Sequence, residues 1–164
     1  MGSEMCIRDR PPNPCHCGGT GCLEAVIGVP ALLDQLASAG VRAESGADIV
    51  NLVRAGDKVA LQVLRDAGRT AGDVLAGAVS LLNPSVIAVG GILAEVPEQL
   101  IAGIRESVYA KSLPLATQDL LIAPSLAGAR AGIIGASSLV CDEVLSPAAV
   151  ETLVESLDAR EGGS

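Results

Sequence analysis

The chain has 164 residues, 49% of them hydrophobic and 18% charged, which is enough apolar material for one folded domain with its own core. Its net charge of −8, from 19 acidic and 11 basic residues, excludes a nucleic-acid surface built on clustered Lys and Arg. No apolar run approaches the ~20 residues of a membrane span and no basic-then-apolar leader opens the chain, so no membrane contact and a cytoplasmic location are expected.

The apolar share is mostly Ala, Val, Leu and Ile, with one Tyr and no Trp or Phe, so the core must be built from small and branched side chains. The 19 glycines predict close approach between elements. The first ten residues, MGSEMCIRDR, show no helical or strand period and look like translated sequencing-adapter runs. Segment 1–10 is therefore set aside as non-native, which leaves Cys6 without a role and implies that the native N-terminal part is missing.

From Pro11 to Gly21 the Pro, Gly, Asn and Cys content reads as an ordered loop that needs a staple. Cys22 to Ile27 opens a helix, and Pro30 to Ala39 is a second one ending at Gly40. A polar linker, Arg42 to Gly46, leads into a helix over Ala47 to Arg54 with Ile49, Val50 and Val53 on one face. The longest helix runs from Asp57 to Leu82, on apolar spacings of three and four, and Asn83-Pro84 stops it. Gly68 and Gly72 lower its helix propensity, so they are read as contact points for another helix or subunit.

Val86 to Val89 is a continuous apolar run of the kind found in buried parallel strands, closed by Gly90-Gly91. Pro97 to Tyr109 is a helix, Asp119 to Ala123 a second strand, and Ala131 to Leu145 a helix of small residues. Ser146-Pro147 caps a last amphipathic helix to Leu157, and the tail 158–164 reads as disordered. Two strands, each followed by a helix, make the chain α/β, without internal repeats.

Five cysteines occur, and Cys15, Cys17 and Cys22 crowd together while Cys6 and Cys141 stand apart. An odd, clustered set suits a metal better than a disulfide framework. Zinc takes thiolates in a tetrahedron, and Gly18, Gly19 and Gly21 allow the sharp turn that brings Cys22 back to an ion held by Cys15 and Cys17. His16, the only histidine, lies between two such ligands, so its side chain points away and reads as a solvated loop residue. Glu24, on physical grounds alone, is an acid favoured in the first turn of a helix.

The pattern Cys-x-Cys-Gly-x-x-Gly-Cys-x-Glu, from Cys15 to Glu24, resembles the zinc segment of the ROK family of repressors and sugar kinases. The resemblance extends from Pro14 to Leu157 and implies, over 11–157, the C-terminal lobe of an actin-like, ribonuclease H-like fold whose N-terminal lobe is missing. It gives Glu24 the role of accepting hydrogen bonds from sugar hydroxyls, for which a carboxylate is suited. It also gives Gly90 and Gly91 a place near a nucleotide, although tight strand-to-helix packing explains a lone Gly-Gly equally well. Gly132 and Gly135 in AGIIGA fit the family's C-terminal helix, where small residues serve packing.

The resemblance implies a fourth zinc ligand, a histidine upstream near Met5, where this chain has none. The family's Asp-x-Gly-Gly-Thr phosphate loop and catalytic Asn-Asp pair are absent as well, so this chain alone is expected to catalyse nothing. Two functions follow from the resemblance. One is the sugar-binding part of a transcription regulator, homodimeric, touching DNA only through a missing N-terminal winged helix. The other is the corresponding lobe of a sugar kinase using ATP and magnesium. The sequence around Gly-Gly-Ile-Leu, SLPLAT and Ser-Pro-Ala-Ala-Val is more similar to the regulators. A zinc-stapled packing domain without a ligand leaves Glu24 unexplained.

Overall fold

The computed structural model describes residues 13–152, so segment 1–10, Cys6, the end of the last helix at Leu157 and the tail 158–164 lie outside the described residues. Two compact units divide the chain, Met1–Leu126 and Ala127–Ser164. In the first, α1 (Glu24–Ile27) and α2 (Val29–Ser38) follow the cysteine loop, and α2 stops at Gly40, whose φ of +80° a side chain would disfavour. The helix α3 (Gly46–Arg54) begins at Ser45, which accepts the Asp48 backbone N–H at 3.2 Å and donates its hydroxyl to the Asp48 carboxylate at 2.9 Å. Ile49, Val50 and Val53 all face inward.

The spine of this unit is α4 (Lys58–Leu82). Asp57 caps its start by accepting the Ala60 N–H at 2.9 Å, and Asn83 ends it in the left-handed conformation, with φ of +44°. Strand β1 (Val86–Val89) is followed by a 3-10 turn (Ile92–Glu95), α5 (Pro97–Lys111), α6 (Pro114–Thr117) and strand β2 (Leu121–Pro124). The strands pair in parallel, Val86 opposite Leu121 through Val89 opposite Pro124. The 3-10 turn and α6 have no clear precursor in the sequence pattern, since each is too short to show a period.

Buried residues from α2, α3, α4, α5 and β2 form one core. Its closest contact is between α4 and α5, where Gly68 and Gly72 meet Gly103 and Ser107. A Cβ at Gly72 would lie 2.6 Å from the Ile104 carbonyl oxygen, and one at Gly68 would collide with the Leu100 carbonyl oxygen. The two glycines are thus contact points for a helix of the same chain. Ion pairs flank the crossing: Arg65 and Arg69 reach Glu106 at 3.2 and 3.0 Å, and Lys111 reaches Asp73 at 2.8 Å.

The Glu106 carboxyl is held below its usual range, first by its hydrogen bond from Arg69 and then by that from Arg65. A lowered folded value places the stabilisation above the unfolded carboxylate range and removes it as pH falls through the folded value. Glu106→Gln is therefore expected to flatten the acid limb of the stability–pH curve. Exposure of the pair keeps the effect small, and urea midpoints near neutrality and in acid measure it.

One expectation fails. Val86 to Val89 forms the parallel strand, but Val86 is 54% exposed and the strand alternates between exposed and half-buried. A parallel strand is buried only when neighbours and helices cover both faces. The sheet described here has two strands, and α5 packs on β2, burying Ile122 and donating from Arg105 to the Ile122 carbonyl at 2.7 Å.

The second unit contains a 3-10 turn (Gly128–Arg130), α7 (Ala131–Val144) and a helical segment over 147–152, capped by Ser146 accepting the Ala149 N–H at 3.2 Å. Within this unit a Cβ at Gly132 or Gly135 would meet nothing within 4 Å, so packing inside the unit does not call for these glycines. Among the described residues no helix is long and apolar enough to cross a membrane.

Candidate metal and ligand site

The cysteine loop folds back on itself at a single antiparallel bridge, Pro14 to Thr20. The Cys15 N–H donates to Gly19 O at 2.9 Å, Gly18 N–H to Cys15 O at 2.9 Å, and Gly21 N–H to Asn13 O at 3.1 Å. Gly18 and Gly21 hold φ of +82° and +71°, so the turn that returns Cys22 to the other thiols depends on residues without a Cβ. Cys22 is buried just before α1, Cys15 is half-buried and Cys17 is exposed.

The three sulfur atoms all lie within 4.8 Å of one another, with Cys17 and Cys22 at 3.4 Å. Bonds of 2.3 Å in a tetrahedron put neighbouring sulfurs about 3.8 Å apart, so the trio is compact enough to form one face of such a site. The Cys17 thiol is held below its ordinary value, first by the Gly19 backbone N–H and then by the thiols of Cys22 and Cys15. These residues can hold a metal ion, and thiolate donors suit a borderline ion such as zinc. Among the described residues no fourth His, Cys, Asp or Glu joins the group. His16 is exposed and stands outside it.

Glu24 opens α1 with its side chain exposed and its carboxylate over Gly28, where any Cβ would collide with it. It lines a cavity of about 170 Å³ together with Pro14, Cys15, His16, Ala25 and Asp34. Asp34 comes from the solvent-facing side of α2, and sequence reading passed over it because an acid on a polar helix face reads as merely solvated. Gly90 and Gly91 lie apart from this cavity. Gly91 has φ of +93°, and a Cβ at either glycine meets nothing closer than Ser125 Cβ at 3.8 Å from Gly90, so the turn is open.

These features define an α/β domain with a thiol knuckle beside a small cavity of mixed polar and apolar lining. The family model described as the ROK family matches residues 4–143, and the chain belongs to the ROK family. It is 27% identical to the glucokinase of Thermotoga maritima over 82% of this chain and 47% of the relative. It is 28% identical to the DNA-binding transcriptional dual regulator NagC of Escherichia coli, over 86% of this chain and 37% of the relative. The crystal structure of a ROK family transcriptional regulator, described as a homolog of the E. coli MLC protein, superposes with a TM-score of 0.66 at 31% identity. That match covers 76% of this chain and 34% of the other. The chain spans less than half the length of the two curated relatives.

Proposed function

We propose that the chain is the sugar-binding, C-terminal part of a ROK-type transcriptional regulator, in the actin-like lobe, with one structural zinc on Cys15, Cys17 and Cys22. The observation that carries this reading is the Glu24 carboxylate, exposed on a cavity whose wall includes Cys15. In this arrangement the metal fixes the loop and the loop fixes one side of the ligand cavity. Sugar hydroxyls donate to Glu24, and sugar binding favours one arrangement of the lobes of a homodimer, shifting the spacing of DNA-binding domains carried outside this chain. Regulators and kinases match this chain at similar identity, and the preference for the regulator rests on the Gly-Gly-Ile-Leu turn and the SLPLAT segment.

Hydrogen bonds to a charged acceptor contribute about 1.5–3 kcal/mol, so Glu24→Ala in the regulator is expected to weaken sugar affinity at least about tenfold. Calorimetric titration measures it, and unchanged affinity removes Glu24 from the site. A second reading, a sugar kinase taking ATP and magnesium, is favoured by the open Gly90-Gly91 turn, where backbone can approach a nucleotide. ATP-dependent phosphorylation of a hexose by the intact protein would establish it, and operator binding without turnover would support the regulator.

A further inference from the structure

We propose that Cys17 and Cys22 are an oxidation site, joined by peroxide into a disulfide that makes the knuckle release its metal. The bridge rests on the positions of the thiols alone, and the loss of metal rests on the zinc reading above. The two sulfurs lie 3.4 Å apart, and a disulfide needs them to close to about 2.05 Å. Gly18, Gly19, Thr20 and Gly21 run between them, and Gly18 and Gly21 supply the left-handed backbone that folds Cys22 back onto Cys17.

The three thiols are not equivalent. Cys17 is exposed, so an oxidant in solution reaches its sulfur first, while Cys22 is buried behind it just before α1. Cys15 is half-buried and pinned by its own backbone, whose N–H donates to Gly19 O and whose carbonyl accepts from Gly18 N–H, both at 2.9 Å. A bridge from Cys15 to Cys17 would have to close across one residue inside that hydrogen-bonded turn. Cys22 meets Cys17 from outside it, which makes Cys22 the resolving thiol.

The Cys17 thiolate attacks one peroxide oxygen, so an S–O bond forms, the O–O bond breaks, and the departing hydroxide takes a proton to become water. The Cys22 thiolate then attacks the Cys17 sulfur. The S–S bond forms, the S–O bond breaks, and the second hydroxide leaves as water with another proton. Two thiols lose two electrons and one peroxide gains them. Two of the three sulfur ligands are consumed, and Cys15 alone holds a metal poorly. Metal and bridge are thus alternative staples of one loop, and a dithiol reductant restores the thiols by exchange.

The test treats the 164-residue chain, zinc-loaded and metal-free, with hydrogen peroxide. Free thiols are alkylated before reduction and the remainder after it with a second reagent, and peptide fragmentation assigns each label. Cys17 and Cys22 are expected to take the second label, and Cys15 and Cys141 the first. A zinc-sensitive dye should record loss of the metal in step with the bridge, and dithiothreitol should reverse both. Cys15→Ser should keep the bridge. Cys22→Ser should abolish it and leave Cys17 as a sulfenic acid that dimedone traps. If Cys17 and Cys22 stay open to the first label, or Cys15→Ser abolishes the bridge, or Cys22→Ser leaves Cys17 bridged to Cys15, the proposal is overturned. A bridge that forms in a chain unable to take up zinc upholds the oxidation site and removes the zinc reading.

Discussion

Gly68→Ala is expected to destabilise the first unit by about 2 kcal/mol, while the same change at Gly77, on the same helix, is expected to stabilise it by about 0.5–1 kcal/mol. Both replacements raise helix propensity by a similar amount, because glycine loses more backbone freedom than alanine on entering a helix. What differs is the space. A Cβ at Gly77 meets nothing within 4 Å, whereas one at Gly68 collides with the Leu100 carbonyl oxygen and lies 3.1 Å from the Gly103 Cα.

Those neighbours are backbone, so no side chain can swing aside, and the two helices must separate. Separation would loosen the packing of Leu64, Ala67, Leu100 and Ile104, which belong to the same core. The reciprocal change, Gly103→Ala, meets the Arg65 carbonyl and the Arg69 backbone nitrogen, the latter at 2.8 Å, and should behave like Gly68→Ala. Urea denaturation of the three variants measures the contrast. Equal midpoint shifts for Gly68→Ala and Gly77→Ala would mean that α4 and α5 do not cross at these glycines.

Removal of zinc is expected to have the other large effect. An ion that binds only the folded loop stabilises it by about 4 kcal/mol when free metal stands a thousandfold above the dissociation constant. Cys22→Ser, which replaces the buried thiol of the trio, should abolish stoichiometric zinc and remove that increment, and a chelator should do the same to the unaltered chain. Cys141→Ser is the control, since Cys141 is an exposed residue of α7 outside the trio.

The lowered Cys17 thiol gives a sign for the pH dependence. A thiol that ionises more readily loses its proton to solvent at lower pH and offers the metal a thiolate there, so zinc should be kept further into mild acid than ordinary thiols would keep it. Metal content by mass spectrometry, with thermal unfolding in the presence and absence of chelator, decides the matter. A chain that carries no zinc, and whose unfolding ignores the chelator, would leave the three sulfurs as an ordinary thiol cluster.

The helices were legible because their signals are local. Spacings of three and four mark α4, Asp57 supplies its cap, and Asn83 before Pro84 stops it. The knuckle was legible for the same reason, since three cysteines and the glycines that turn between them lie within one short loop. Gly68 and Gly72 announced a close contact as well, because a glycine inside a helix is disfavoured unless something approaches it.

Their partner was not legible. Gly103 lies one strand and one turn further on, and nothing in the spacing says which helix it faces until α4 and α5 cross. Burial of β1 was misjudged for a related reason, because an apolar run records what a strand can bury and only its neighbours decide what it does bury. Asp34 is the same lesson at the candidate site. Residue types and short-range spacing carry the local chemistry of caps, turns and thiolates, whereas the placing of Asp34 and Glu24 on one cavity and the meeting of Gly68 with Gly103 depend on how distant segments pack, which no single stretch of chain encodes.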